Sequence, residues 1–164
     1  SFDDPEVERI CTEKYDITKD GKVSKEELES VTNIATYFAD NPNLKIFKEL
    51  KYFSGLRETG QQSFRHDKAL TEVWFPENLV RVNNWCFMNC VSLKKVVFLS
   101  KIPPTLSNQS AFFKDTNYNY PTNLLIYVPD EAIDAYRADW REFKENSNAT
   151  LISRLRPMSE YRED

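Results

Sequence analysis

At 164 residues, with 40% hydrophobic and 13% aromatic side chains, the chain can pack one domain, or one domain with a small appendage, and is too apolar for wholesale disorder. A net charge of −4 is too mild for nucleic-acid or membrane-surface binding. No apolar run approaches the ~18 residues a membrane span needs, and only 3 glycines argue against a glycine-turn-rich barrel.

Charge is unevenly placed. Residues 1–30 carry ten acidic and five basic side chains, whereas residues 44–101 carry five acidic and ten basic. This suggests a cation site at the front and a differently charged surface behind it, although two plain solvated faces would look the same. Three cysteines, Cys11, Cys86 and Cys90, form no CxxC pair. They read as small buried hydrophobes rather than a disulfide framework. The chain opens at Ser1 without a signal-like segment, and the expectation is an exported protein whose signal or lipid anchor has been removed.

Residues 1–43 read as an EF-hand-like helix–loop–helix. Residues 16–27 fit the twelve-residue calcium loop, which needs six to eight oxygens at set positions. Asp16, Thr18 and Asp20 stand at positions 1, 3 and 5, the Lys22 carbonyl at 7, Ser24 at 9 and Glu27 at 12. Gly21 at position 6 permits the sharp turn, and Val23 anchors the loop. Val7, Ile10, Cys11 and Tyr15 line an entering helix, while Leu28, Val31, Ile34, Ala35 and Phe38 line an exiting one. Thr18 stands where Asp or Asn is usual, so calcium affinity should be weak, in the ~10⁻⁴–10⁻³ M range. Ser24 and Glu27 also form a capping box, so an ordinary turn into a capped helix would share several of these features.

Residues 44–129 repeat with a period of 23. Leu56 aligns with Leu79, Phe64 with Phe87, Leu70 with Leu93, Val73 with Val96 and Phe75 with Phe98. One step earlier, Phe47, Leu50 and Tyr52 align with Leu70, Val73 and Phe75; a longer step ends at Ile126 and Val128, with Phe112 in the place of Phe64 and Phe87. The period lies in the leucine-rich-repeat range of ~20–29 residues. Each unit reads as a short strand followed by a compact helical segment, and stacking parallel strands gives a continuous core. The fold class is therefore α+β: a short leucine-rich-repeat solenoid with a parallel sheet. Between the inward residues, Lys51, Trp74, Val97 and Tyr127 form one outward column, and Glu49, Glu72, Lys95 and Leu125 its neighbour. Trp74 and Tyr127 are of the kind enriched at binding hot spots; packing beneath a terminal element is the alternative.

Residues 130–155 read as a C-terminal cap. Asp130 is placed as N-cap of a helix whose apolar stripe is Ala132, Ile133, Tyr136, Trp140 and Phe143. Leu151, Ile152 and Leu155 could add a last packed segment, and residues 156–164 read as a polar tail.

Together these residues resemble the BspA-like leucine-rich-repeat family of bacterial surface proteins. The resemblance rests on the run Leu70, Thr71, Glu72, Val73, Trp74, Phe75 and Pro76, continued by Leu79, Val82, Phe87, Cys90 and Leu93. The closing pattern Ile126, Tyr127, Val128 and Pro129, followed by Ala132, Ala135, Tyr136 and Trp140, is also similar to the family's, as is the front segment. The resemblance implies a secreted or lipid-anchored cell-surface protein that contacts other proteins or host surfaces.

No catalytic grouping is recognisable. The single histidine, His66, lies in a polar turn without a nucleophile motif beside it. The expected function is a non-catalytic protein-binding or adhesion module with a weak Ca²⁺ site and a ligand on the outward column. The alternatives are a glycan-binding module that uses Trp74 and Tyr127, and a structural segment of a surface assembly. Asn108 and Asn148 begin sequons that are chance matches in a bacterial protein.

Overall fold

The protein is described by a computed structural model covering residues 1–107, 119–145 and 149–164. In chain order come α1 (Pro5–Tyr15), α2 (Lys25–Glu29), β1 (Ile46–Phe47), β2 (Glu72–Phe75), β3 (Arg81–Val82), β4 (Lys95–Phe98), β5 (Thr105–Leu106), β6 (Leu125–Val128), α3 (Ile133–Asp139) and β7 (Leu155–Pro157). Short 3₁₀ segments lie between them. Phe112 and the sequon residue Asn108 fall outside the described residues, as does Asn148.

The main sheet has the order β1-β2-β4-β6-β7, and every pairing is parallel. A second ladder joins β3 to β5, also parallel, and Glu58 extends it by a bridge to Arg81. Successive repeats thus pair in parallel along both ladders. Val73 lies opposite Val96 and Phe75 opposite Phe98, so the 23-residue register holds across β2 and β4. The turns on the other side stack too: the N–H groups of Gln62, Phe64 and His66 donate to the carbonyls of Asn84, Cys86 and Met88. Left-handed φ values recur one repeat apart, at Gln62 and Trp85 and at His66 and Asn89, near 60°. The Phe64 and Phe87 rings stack at 5.2 Å. Cys90 donates its thiol to the Phe64 carbonyl at 3.0 Å, so each repeat satisfies the polar backbone of the one before it.

The first repeat departs from the predicted register. Phe47 faces Val73, a step of 26 residues, and Leu44 is the buried residue that takes the place expected of Phe47. Glu49–Tyr52 is a 3₁₀ turn, in which Leu50 is buried but Tyr52 points to solvent. In the second outward column Ile46, not Glu49, precedes Glu72, Lys95 and Leu125. The expected exiting helix also stops early, at Glu29. Val31, Ile34 and Phe38 still enter the core, but from turns. Asn33 caps the Ala35 N–H at 2.6 Å, and Ala35 sits at φ 46°. Such local side-chain bonding competes with helix propagation.

Toward the C-terminus the helix is shorter than the apolar stripe suggests, ending at Asp139; Ala132, Tyr136 and Trp140 are buried, and Ile133 and Phe143 are half-buried. Tyr136 donates to the Ser100 carbonyl at 2.6 Å and the Trp140 indole to the Pro104 carbonyl at 3.0 Å. These bonds let two large polar-tipped rings serve as core. Arg154 locks the last coil by a bidentate pair with Glu145 and by bonds to the Pro121 and Leu124 carbonyls. Asp130 makes no helix cap; its Oδ1 accepts the Ser159 N–H at 2.9 Å.

Candidate functional site

The front loop is ordered by its own carboxylates. Asp16 Oδ2 accepts the Gly21 N–H at 2.8 Å, and its Oδ1 accepts the Asp20 N–H at 3.3 Å. Gly21 has φ 84°, which a side chain would strain. Glu27 uses both oxygens: Oε1 accepts from Ser24 N–H at 2.8 Å and Oε2 from Thr18 N–H at 3.0 Å. Ser24 Oγ accepts the Glu27 N–H in return, completing the capping box. Asp20 caps Lys22 N–H at 3.0 Å. Backbone N–H bonds from Ser24 and Thr18 hold the Glu27 carboxyl below its usual range. For Asp16, partial desolvation pushes upward, but the Gly21 and Asp20 N–H groups outweigh it. Asp16 and Glu27 converge on Thr18, whose hydroxyl lies 3.4 Å from Asp16 Oδ1. Among the described residues, no group of three or more His, Cys, Asp or Glu is placed to hold a metal.

The outward column exists: Trp74 lies opposite Val97, and Val97 opposite Tyr127. Arg156 on β7 continues it. Lys51 is not on a strand; it reaches the column from the 3₁₀ turn, with Nζ 4.9 Å from the Trp74 ring centre. The column is not the open stripe expected from the sequence. Val97 is 0% exposed, Tyr127 6% exposed and Trp74 half-buried.

The cover is the segment read as a polar tail. Leu155–Pro157 joins the sheet as β7, and residues 158–164 turn back across the sheet's outer face as a strap. The Tyr161 ring wedges edge-on against Trp74 at 5.2 Å and Tyr127 at 5.3 Å. Its hydroxyl donates to Glu72 Oε2, which also accepts the Trp74 indole N–H at 2.6 Å. Burial, together with this carboxylate neighbour, pushes the Tyr161 hydroxyl pKa up. Lys95, opposite Glu72 in the sheet, donates to the Arg162 carbonyl and to Asp164 Oδ1 at 3.0 Å. Its ammonium also stands 4.9 Å from the Tyr161 ring centre. Lys48 pairs with Glu163 at 3.3 Å.

Sequence reasoning placed Trp74, Val97 and Tyr127 in one column and Glu72, Lys95 and Leu125 in its neighbour, but it misplaced Lys51 and Glu49 and missed the strap. The signal available was modest: one tyrosine with two acids, Glu163 and Asp164, beside a sheet face rich in lysine.

A buried carboxylate lies inside the fold. Asp67 is wholly buried, between the front segment and the repeats. Its Oδ1 accepts the Asn41 N–H at 2.8 Å, while its Oδ2 has no hydrogen-bond partner among the described residues. Burial pushes its pKa up to about 8. Cys86 and Cys90 are free and buried, and burial raises both thiols. All three groups are enclosed in the core rather than arranged at an opening.

Comparison with curated proteins gives no match. The family model described as BspA type leucine rich repeat region matches residues 24–122, in six copies. That span covers well over half of the chain and includes the stacked strands β1, β2 and β4 with their turns. On this match, and on the parallel ladder it accounts for, the chain belongs to the BspA-type leucine-rich-repeat family.

Proposed function

We propose that the chain is a non-catalytic protein-binding module of a secreted or cell-surface protein, and that the outer face of its main sheet is the interface. The observation that carries this reading is the composition of that face. Trp74 and Tyr127 stand in one column with Lys48, Lys51 and Lys95 around them, and Glu72 supplies an acceptor. Aromatics held rigidly by a sheet, with charge at the edges, suit protein recognition. Family membership supports an interaction or surface role. No helix among the described residues is long and apolar enough to cross a membrane.

The test is a binding panel of extracellular host proteins and glycans, read for the intact chain and for Lys51→Glu and Trp74→Ala variants that keep their fold. Protein binding that weakens at least tenfold in the variants supports the reading. Binding untouched by both moves the interface elsewhere, and retention of glycans alone favours the carbohydrate alternative.

We also propose a weak Ca²⁺ site in the loop, with Asp16, Thr18, Asp20, the Lys22 carbonyl, Ser24 and Glu27 as its oxygens. The Asp16 clasp on Gly21 supports this reading, because it bends the loop without a metal. The cost is at Asp16 and Glu27, whose oxygens already serve backbone donors, and among the described residues no three acids stand together to hold a metal; each carboxylate retains further lone pairs, but calcium would have to draw the loop closer and loosen those contacts. Calorimetry at millimolar calcium tests it. Heat that disappears in Glu27→Gln is expected, and no heat in the unaltered chain would reduce the loop to a capped turn.

A further inference from the structure

The strap lies on the sheet in a way that differs from the rest of the fold. Up to Pro157, β7 is held by a parallel ladder. Beyond it, the strap's backbone donors reach the rest of the molecule at one residue, Asp130, through the Ser159 N–H and, more weakly, that of Met158. Every other tie to the body is made by a side chain on at least one side. Glu163 and Asp164 pair with Lys48 and Lys95, but their side chains are 77% and 71% exposed. Their lysine partners are only 18% and 11% exposed, so these are half-exposed pairs, which salt screens from the solvent side. Tyr161, half-buried, is the one ring of the strap, and Ser159, Glu160 and Arg162 face solvent. Segments with few buried contacts and few backbone bonds open at low cost.

The surface beneath is the opposite. It is a rigid parallel ladder with each recognition group already aimed: Glu72 Oε2 for a hydroxyl, the edges of Trp74 and Tyr127 for an aromatic ring, and Lys95 and Lys48 for carboxylates. The strap fills it as a peptide ligand would, with an aromatic anchor followed by acids two and three residues later.

We propose that residues 158–164 are an intramolecular occupant of a peptide-binding site, and that a partner protein displaces them with a segment carrying a tyrosine followed by carboxylates. This rests on the sheet face being the interface and adds the chemistry of the ligand and a built-in competitor. A site occupied in cis shows an apparent affinity reduced by the fraction of molecules in which it is open. The strap thereby sets a threshold: a partner must match its tyrosine and its acids to bind. An isolated acidic segment, or an isolated aromatic one, engages half of the groups and fails to compete.

The probe is a fluorescent peptide with the sequence of residues 155–164, offered to the intact chain and to a full-length Tyr161→Ala/Asp164→Ala variant whose strap has lost its anchors. Fluorescence anisotropy is expected to show saturable binding to the variant, at least about tenfold tighter than to the intact chain. Binding should weaken when the peptide's tyrosine is replaced by alanine, and when Lys95→Met is added to the variant. Hydrogen exchange on the intact chain gives an independent reading: amides of residues 160–164 should exchange far faster than those of β6.

Equal binding to both proteins, or none to the folded variant, overturns the proposal. So does strap exchange as slow as that of β6, or loss of the fold in the variant, since either makes the strap a structural cap. If the peptide fails while panel proteins still bind through Trp74 and Lys51, the interface stands and only the strap's role falls.

Discussion

Asp67 offers a perturbation whose sign and size both follow from its surroundings. The side chain is wholly buried, with one oxygen bonded to the Asn41 N–H and the other without a hydrogen-bond partner among the described residues. Its pKa rises from 3.8 to about 8 through desolvation, with the nearby Asp40 adding to the rise. Below about pH 4 the carboxyl is protonated in both folded and unfolded chains and adds no pH dependence. As pH rises, the unfolded chain releases its proton first, while the folded chain keeps it until about pH 8. The folded state therefore binds more protons across that window, and stability falls as pH rises. At about 1.4 kcal/mol per unit, the shift has a ceiling of roughly 6 kcal/mol. Relaxation and water entry reduce this, and we expect about 2–4 kcal/mol between pH 4.5 and pH 8.5.

Carboxylates with lowered pKa, Asp16, Glu27 and Asp130 among them, act in the other direction. Their contribution is present above their unfolded pKa and is lost only as pH falls through the folded value. The stability maximum should thus lie on the acid side of neutrality. Asp67→Asn keeps an acceptor for Asn41 and removes the charge. Urea melts of both proteins at several pH values are the assay. The midpoint of the intact chain should fall by on the order of 1 M toward pH 8.5, and that of the variant should stay nearly flat. The slope is the readout, because an unpartnered amide could cost about 1–3 kcal/mol at every pH. Parallel pH profiles for the two proteins would refute the reasoning.

Other outcomes follow from the same geometry. Trp74→Ala should cost about 1–3 kcal/mol in a denaturant melt, less than the ~3–5 kcal/mol of emptying a fully buried aromatic site, because the ring is only half-buried. Ser24→Ala removes the acceptor for the Glu27 N–H and should lower stability by about 1 kcal/mol, measured in the absence of calcium. Cys86 and Cys90 should resist alkylation under native conditions and react fully in denaturant, as mass spectrometry would report, since both are buried with raised thiol pKa values.

How much was legible in the sequence depends on how far each signal was local. Between residues 70 and 98 the repeat is uninterrupted, and its pairings Glu72 with Lys95 and Val73 with Val96 are those the 23-residue spacing predicts. At the first repeat three extra residues intervene. Phe47, Leu50 and Tyr52 happen to match the apolar positions of the next repeat at the wrong offset, and only pairing could reveal that Phe47 belongs with Val73. Val31, Ile34 and Phe38 have helical spacing and do reach the core, yet turns deliver them, because Asn33 bonds the backbone that a helix would need. In the front loop the capping-box bonds of Ser24 and Glu27 are those the sequence permits. The strap was illegible for a different reason. Its residues are polar and mostly exposed, and what fixes it is a set of long-range contacts from Tyr161, Glu163 and Asp164 to side chains far back in the chain. Hydrophobic periodicity carries no trace of such contacts.

The seating of the strap on the outward column is the central claim about the occupied face, and a double-mutant cycle tests it most directly. Trp74→Ala, Tyr161→Ala and the double variant would be compared with the intact chain in denaturant melts. Rings in edge contact at 5.2 Å should give a coupling of about 0.5–1.5 kcal/mol. Strict additivity of the two substitutions would mean that Tyr161 does not rest on Trp74, and the occupied binding face described above would have to be abandoned.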